Sequence, residues 1–146
     1  MYFVDQSNIE ETLLYMEKIL DEVSRNNQFD SFKEKLSLER MIHMLIESII
    51  DAGNMMIDGF IMRDPGGYED IIDILVDEKV IPAEEEADYK TFIRLRKALI
   101  HEYRTIDHTM LRDVMLEKKE TLQQFSVHVR SYLKNALEVA NAFSNE

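Results

Sequence analysis

Within the stretch RKALIHEYRTID, Arg96 to Asp107, an arginine, a histidine and a tyrosine stand close together, and each could act on a phosphate ester. Histidine exchanges protons near neutral pH, and arginine neutralises phosphoryl oxygens through a planar fork of N–H donors. Arg94, Lys97 and Arg104 add a local cluster of positive charge. His101 as general acid or base, with Arg96 for phosphate charge, suits cleavage of an RNA strand without a metal or other cofactor.

Arg96 sits in an unexpected place for such a group. Projected at about 100° per residue, it falls among Phe92, Leu95, Leu99, Tyr103 and Ile106, with Ile93 and Ile100 at the flank. A guanidinium does not deprotonate, so in apolar surroundings it must find a carboxylate or amide, or run its stem along the helix to water. The candidates lie upstream. Arg40, His43, Glu47, Asp51, Asn54 and Asp58 occupy a narrow polar stripe opposite the apolar arc Leu38, Ile42, Leu45, Ile46, Ile49, Ala52, Gly53 and Met56. Glu47, Asp51 and Asn54 can reach Arg96 if the two helices are neighbours, and Asp51 is the first choice.

That stripe is either a solvated edge or the lining of a cleft. His43, Glu47 and Asp51 also have a spacing that metal ligands use, but the paired Glu-x-x-His motifs of di-iron bundles are missing, and no metal is expected. A geometric demand remains: on an ideal helix the side chains of Arg96 and His101 diverge by about 140°. Convergence requires distortion at the helix end, the reach of the arginine, or a second subunit completing the cleft.

Five helical segments must position these groups. The first begins at Asp5 or Ser7 and buries Ile9, Leu13, Met16, Ile19, Leu20 and Val23 at helical spacing, ending at Arg25 to Gln28. A second follows Ser37 as N-cap and runs to Gly59, before the turn RDPGG. The third spans roughly Tyr68 to Glu78. A fourth opens at Pro82 and ends between Tyr103 and Thr105, with Glu84, Glu85 and Glu86 favouring the positive end of its dipole. Asp107 caps a fifth from about His108 to Phe143, whose stripe Leu111, Met115, Leu122, Phe125, Val129, Tyr132, Ala136, Val139 and Phe143 is interrupted only by Lys118.

Four glycines, two prolines and an abundance of Leu, Ile, Met, Glu and Lys favour helix over strand, so the fold class is all-α. The 146 residues, 45% of them hydrophobic, suffice for a single domain, 1–146, with its own core. No cysteine, no leader pattern and no long apolar run means no disulfide frame, no membrane association and a cytoplasmic address. A net charge of −12 excludes broad attraction to nucleic acid, so contact with RNA must be local to the basic cluster.

Arg96, four residues, His101, one residue, Tyr103 resembles the R-x4-H-x-Y motif of HepT-like toxins in the HEPN superfamily. The surrounding ALIHEYRTID and the upstream SLERMIHMLIESIIDAGN resemble the corresponding segments of that family, and the likeness covers essentially the whole chain. It implies an up-and-down bundle of about five helices, a four-helix core plus a short helix, paired as a homodimer with a cleft between subunits. It also implies a toxin–antitoxin role: a ribonuclease acting on RNA, transfer RNA among the candidates, with Arg96 and His101 catalytic and Asp51, Asn54 and Glu47 orienting them. The implied partner is a minimal nucleotidyltransferase antitoxin that adds AMP to Tyr103. The sequence departs from the pattern after the motif arginine, where Lys97 replaces the usual asparagine or small polar residue. A non-catalytic nucleotide- or protein-binding subunit of a nucleotidyltransferase complex is the alternative reading.

Overall fold

The computed structural model describes residues 3–144, and among them five α-helices and one 3-10 turn account for all regular structure. Helix α1 spans Gln6–Arg25, α2 Phe32–Gly59, α3 Tyr68–Asp77, α4 Glu86–His101 and α5 His108–Ser144, with the turn at Ala83–Glu85 before α4. Consecutive helices pack on one another, and α2 touches all four others. Its centrality follows from its composition: Leu38, Ile42, Leu45, Ile46, Ile49, Ala52 and Met56 are wholly buried, while the polar stripe is not.

The six apolar positions expected of α1 are all buried, as are Leu111, Met115, Leu122, Phe125 and Val129 of α5. Along α5 the stripe then fades: Tyr132 and Ala136 are half-buried and Val139 is 56% exposed, while the side chain of Phe143 lies outside the described residues. Lys118, the interruption in the stripe, forms an ion pair with Asp88 of α4 at 2.8 Å. Met56 belongs to the core, whereas Met44 and Met55 are half-buried against it.

Helix ends differ from expectation for identifiable reasons. Asp5, not Ser7, caps α1, its carboxylate accepting the Asn8 N–H at 3.1 Å. Helix α2 starts six residues before the Ser37 boundary, because Ser31 and Glu34 form a reciprocal capping box: the Glu34 N–H donates to Ser31 Oγ at 3.1 Å and the Ser31 N–H to Glu34 Oε1 at 2.9 Å. Pro82 precedes the 3-10 turn rather than opening α4 directly, and α3 ends one residue earlier than Glu78. Helix α4 stops at His101, before the expected Tyr103 to Thr105, and a turn closed by the Thr105 N–H on Glu102 O, 3.1 Å, follows it. Asp107 caps α5 as expected, accepting the Met110 N–H at 3.1 Å.

Candidate active site

Helices α2, α3 and α4 meet around Arg96. Its Nε donates to Glu47 Oε1 at 2.6 Å, with both side chains 28% exposed. Asp51, the first-choice partner from sequence, is corrected by this contact: Glu47 sits one turn earlier on α2, and the offset between α2 and α4 brings that turn, not the next, to the guanidinium. Asp51 is exposed, and Asn54 makes no hydrogen bond to Arg96. Loss of solvent around Asp51, followed by the repulsion of nearby Glu47, pushes the Asp51 carboxyl above the usual aspartate range.

A second contact comes from α3. The Arg96 guanidinium lies over the Tyr68 ring, 4.6 Å from its centroid. Arginine is thereby fixed by two different interactions, a charged hydrogen bond at Nε and a π-face, which leave its terminal nitrogens free to meet a phosphoryl oxygen pair. The bond to Glu47 is also the main cause that raises the Arg96 pKa above the ordinary arginine value, so the group is permanently cationic. His43 extends the set: its Nε2 is 3.3 Å from the same Glu47 oxygen that Arg96 uses. No three His, Asp or Glu groups among the described residues are arranged to hold a metal ion, and so His43, Glu47 and Asp51 do not form such a set.

Arg96 and His101 line one open groove of about 610 Å³, together with Tyr68, Arg94, Lys97 and the Gly66–Gly67 turn. Helix α4 ends at His101, so the two lining side chains leave it five residues apart. His101 is exposed and has no hydrogen-bond partner among the described residues, as has Lys97. Arg94 reaches the groove too, but its Nη2 is paired with Glu69 at 2.8 Å, and this bond draws its charge toward α3. Arg104 and Tyr103 stand in the turn beyond α4, Tyr103 62% exposed, and Arg104 is not among the lining residues.

Tyr68 is the residue that sequence reasoning used only as a helix boundary. Its position after Gly66–Gly67, opening a short helix, was the one available signal; the contact with Arg96 joins residues 28 positions apart, which no local pattern encodes. A second imidazole–carboxylate pair, His108 Nε2 to Glu39 Oε2 at 2.7 Å, ties the start of α5 to α2.

The site is thus an arginine and a histidine lining one groove at the end of α4 in an all-helical bundle. Residues 9–129 match the family model described as HepT-like, ribonuclease HepT-like. A Bacillus subtilis (strain 168) protein named "Putative RNase YutE" is 46% identical over 143 residues, spanning 98% of this chain and 99% of the relative. The chain belongs to the HepT-like ribonuclease family. The solved structure of YutE from Bacillus subtilis, described as a cytosolic protein of unknown function, superposes with a TM-score of 0.91, 46% identity and coverage of 94% and 96% of the two chains. More distant structures share the fold: a toxin–antitoxin solved with AMP-PNP, at a TM-score of 0.76, 15% identity and coverage of 84% and 97%, and a tri-AMPylated Shewanella oneidensis HEPN toxin in complex with MNT antitoxin, at 0.65, 18%, and 86% and 92%. No helix among the described residues is long and apolar enough to cross a membrane.

Proposed function

We propose that this protein is the toxin of a toxin–antitoxin pair, a metal-independent endoribonuclease that acts as a homodimer and is neutralised when a partner nucleotidyltransferase adds AMP to Tyr103. The observation that carries the reading is the shared groove: Arg96, held by Glu47 and Tyr68 with its terminal nitrogens free, and unpartnered His101 line the same opening. In the proposed step His101 takes the proton of a ribose 2′-hydroxyl, the 2′-oxygen bonds to the adjacent phosphorus, and the bond from phosphorus to the 5′-oxygen breaks. Arg96 balances charge on the phosphoryl oxygens, and Lys97 draws the backbone into the groove. The products are a 2′,3′-cyclic phosphate and a 5′-hydroxyl. In the proposed homodimer the leaving 5′-oxygen takes its proton from an imidazolium, either that of the same His101 or that of the second copy.

Lys97 and Arg104 serve as phosphate contacts in this scheme and Arg94 as a weaker one, because Glu69 already partly neutralises it. Asp51 acts on the site through its charge beside Glu47, and Asn54 stands three residues further along α2. Tyr103 suits modification because it lies in the turn immediately after the site with its side chain mostly open. A nucleotide attached there brings bulk and negative phosphate to the edge of the groove, competing with RNA for the same cations.

The test is intact mass of the protein expressed with and without the partner nucleotidyltransferase, followed by RNA cleavage by both forms, by His101→Ala and by Tyr103→Phe. An AMP-sized increase that Tyr103→Phe abolishes, with cleavage by the unmodified protein alone and none by His101→Ala, is the expected result. Cleavage that persists in His101→Ala would sink the catalytic assignment. Binding of the nucleotidyltransferase with neither adduct nor cleavage would replace it with a non-catalytic binding subunit.

A further inference from the structure

Tyr68 is tied to Arg96 on one side, yet 47% of its surface remains open, and it faces the groove that holds Lys97 and His101. The open part of the ring is a flat apolar surface presented to an aqueous groove, where a planar ligand can reach it. A Cβ built on Gly67 meets nothing within 4 Å, and one on Gly66 meets only Asp70 Oδ2, at 3.6 Å. Gly67 has an extended φ of 175°, a conformation open to any residue, so backbone strain does not require the glycine. A side chain at Gly67 would stand in open space, and Gly67 lines the same groove as Tyr68.

The guanidinium under the ring does two things. It fixes the ring plane, removing rotamer freedom that would otherwise be lost on binding, and it places a permanent positive charge within one nucleotide of whatever stacks on Tyr68. A nucleobase is the ligand that matches both: a flat π-face for the tyrosine and, through the sugar, a phosphate for Arg96 and Lys97. A paired base has its faces covered by its neighbours in the duplex, so only an unpaired base can use the ring.

We propose that Tyr68 is the stacking platform for an unpaired nucleobase in this groove and that it sets the preference of the site for unpaired over duplex RNA; as a specificity residue it rests on the ribonuclease reading. The base comes either from an RNA strand or from a nucleotide, and these sources are separable by experiment.

The chain contains no tryptophan, so Tyr68→Trp creates a single fluorescent reporter at the platform. Its emission is titrated with a 2′-O-methyl oligoribonucleotide, which lacks the attacking hydroxyl and stays intact, with the same strand annealed to its complement, and with AMP. The expected result is saturable quenching by the single strand and little by the duplex. In the protein otherwise unchanged, Tyr68→Ala should weaken binding of the single strand about ten-fold and Tyr68→Phe should leave it nearly unaltered. Quenching by AMP but not by the strand assigns the ring to a free nucleotide and overturns its role in choosing unpaired RNA. Equal quenching by single strand and duplex, no quenching by any probe, or unchanged affinity in a folded Tyr68→Ala overturns the proposal. RNA cleavage by the unaltered protein is scored separately: its absence removes the ribonuclease reading, while the quenching result still decides the role of Tyr68.

Discussion

Glu47→Gln keeps the size and one acceptor oxygen of the side chain that holds Arg96 but removes its charge. The pair is neither exposed nor deeply buried, each side chain being 28% open, and the bond is short at 2.6 Å. Exposed ion pairs contribute about 0.2–1 kcal/mol, and breaking a fully buried one costs about 3–5 kcal/mol. A half-buried, charge-assisted hydrogen bond falls between, at about 1.5 kcal/mol. For a chain of this length such a loss lowers Tm by about 3–6 °C. Because Arg96 is held at Nε by Glu47 and over its face by Tyr68, the variant keeps one of two constraints. RNA cleavage should therefore fall through kcat, while removal of a negative charge leaves affinity equal or higher.

A double-mutant cycle isolates the pair: Glu47→Gln, Arg96→Gln and their combination, each followed by urea denaturation. A coupling of about 1–2 kcal/mol is expected. Asp51→Asn run against Arg96→Gln is the control and should give close to none, since Asp51 does not reach the guanidinium. A coupling between Glu47 and Arg96 below about 0.3 kcal/mol, within the additivity of independent sites, would refute the reasoning. So would a larger coupling through Asp51.

Three further outcomes follow from the packing and the charges. Gly53→Ala gains about 1 kcal/mol in helix propensity but places a Cβ 2.5 Å from Ile71 Cγ2, a stiff β-branched side chain on α3 whose displacement costs about 1–3 kcal/mol; a net loss is expected by urea midpoint, relieved by Ile71→Leu, which lacks that methyl. Ile61 closes α2 in the left-handed region at φ 54° with 76% of its surface exposed, while the Met62 N–H donates to Ile57 O at 2.9 Å, so Ile61→Gly should stabilise by about 1 kcal/mol, and a fall in the urea midpoint would contradict this. Asp70 receives two hydrogen bonds from Arg63, at 2.7 and 2.9 Å, and one from the Gly66 N–H, and these hold its carboxyl well below the usual aspartate range. A depressed folded value means the contribution to stability is complete above the unfolded aspartate value, near 3.8, and is lost as pH falls from there through the folded value. Asp70→Asn should therefore be less stable than the unaltered protein near neutrality and show a shallower decline below about pH 4, read from urea midpoints across pH; parallel curves would exclude the carboxylate as a source of the acid limb.

Helix, core and motif were legible in the sequence because each rests on short-range chemistry. The apolar arcs of α1 and α2 are buried where their periodicity placed them, since a helix sets the direction of a side chain from its own register alone. Caps were legible where the acceptor lies three residues from the donor it serves, as at Asp5 and Asp107; the boundary at Ser37 went astray because a stronger reciprocal box, Ser31 with Glu34, begins six residues upstream. Arg96 and His101 could be singled out as types at a spacing.

Which groups meet them depended on how α2, α3 and α4 lie against one another. That Arg96 needed a partner follows from the cost of an unpaired guanidinium, a property of the residue itself. That the partner is Glu47 rather than Asp51 is decided by the axial offset of two helices, and a shift of one turn exchanges one carboxylate for the other without altering any local pattern. The placing of Tyr68 over Arg96, and of His101 in the same groove, arises likewise from packing between elements distant in the chain. Sequence determined the chemistry available; tertiary structure chose the neighbours, because contact across helices depends on relative position, which periodicity within a helix does not contain.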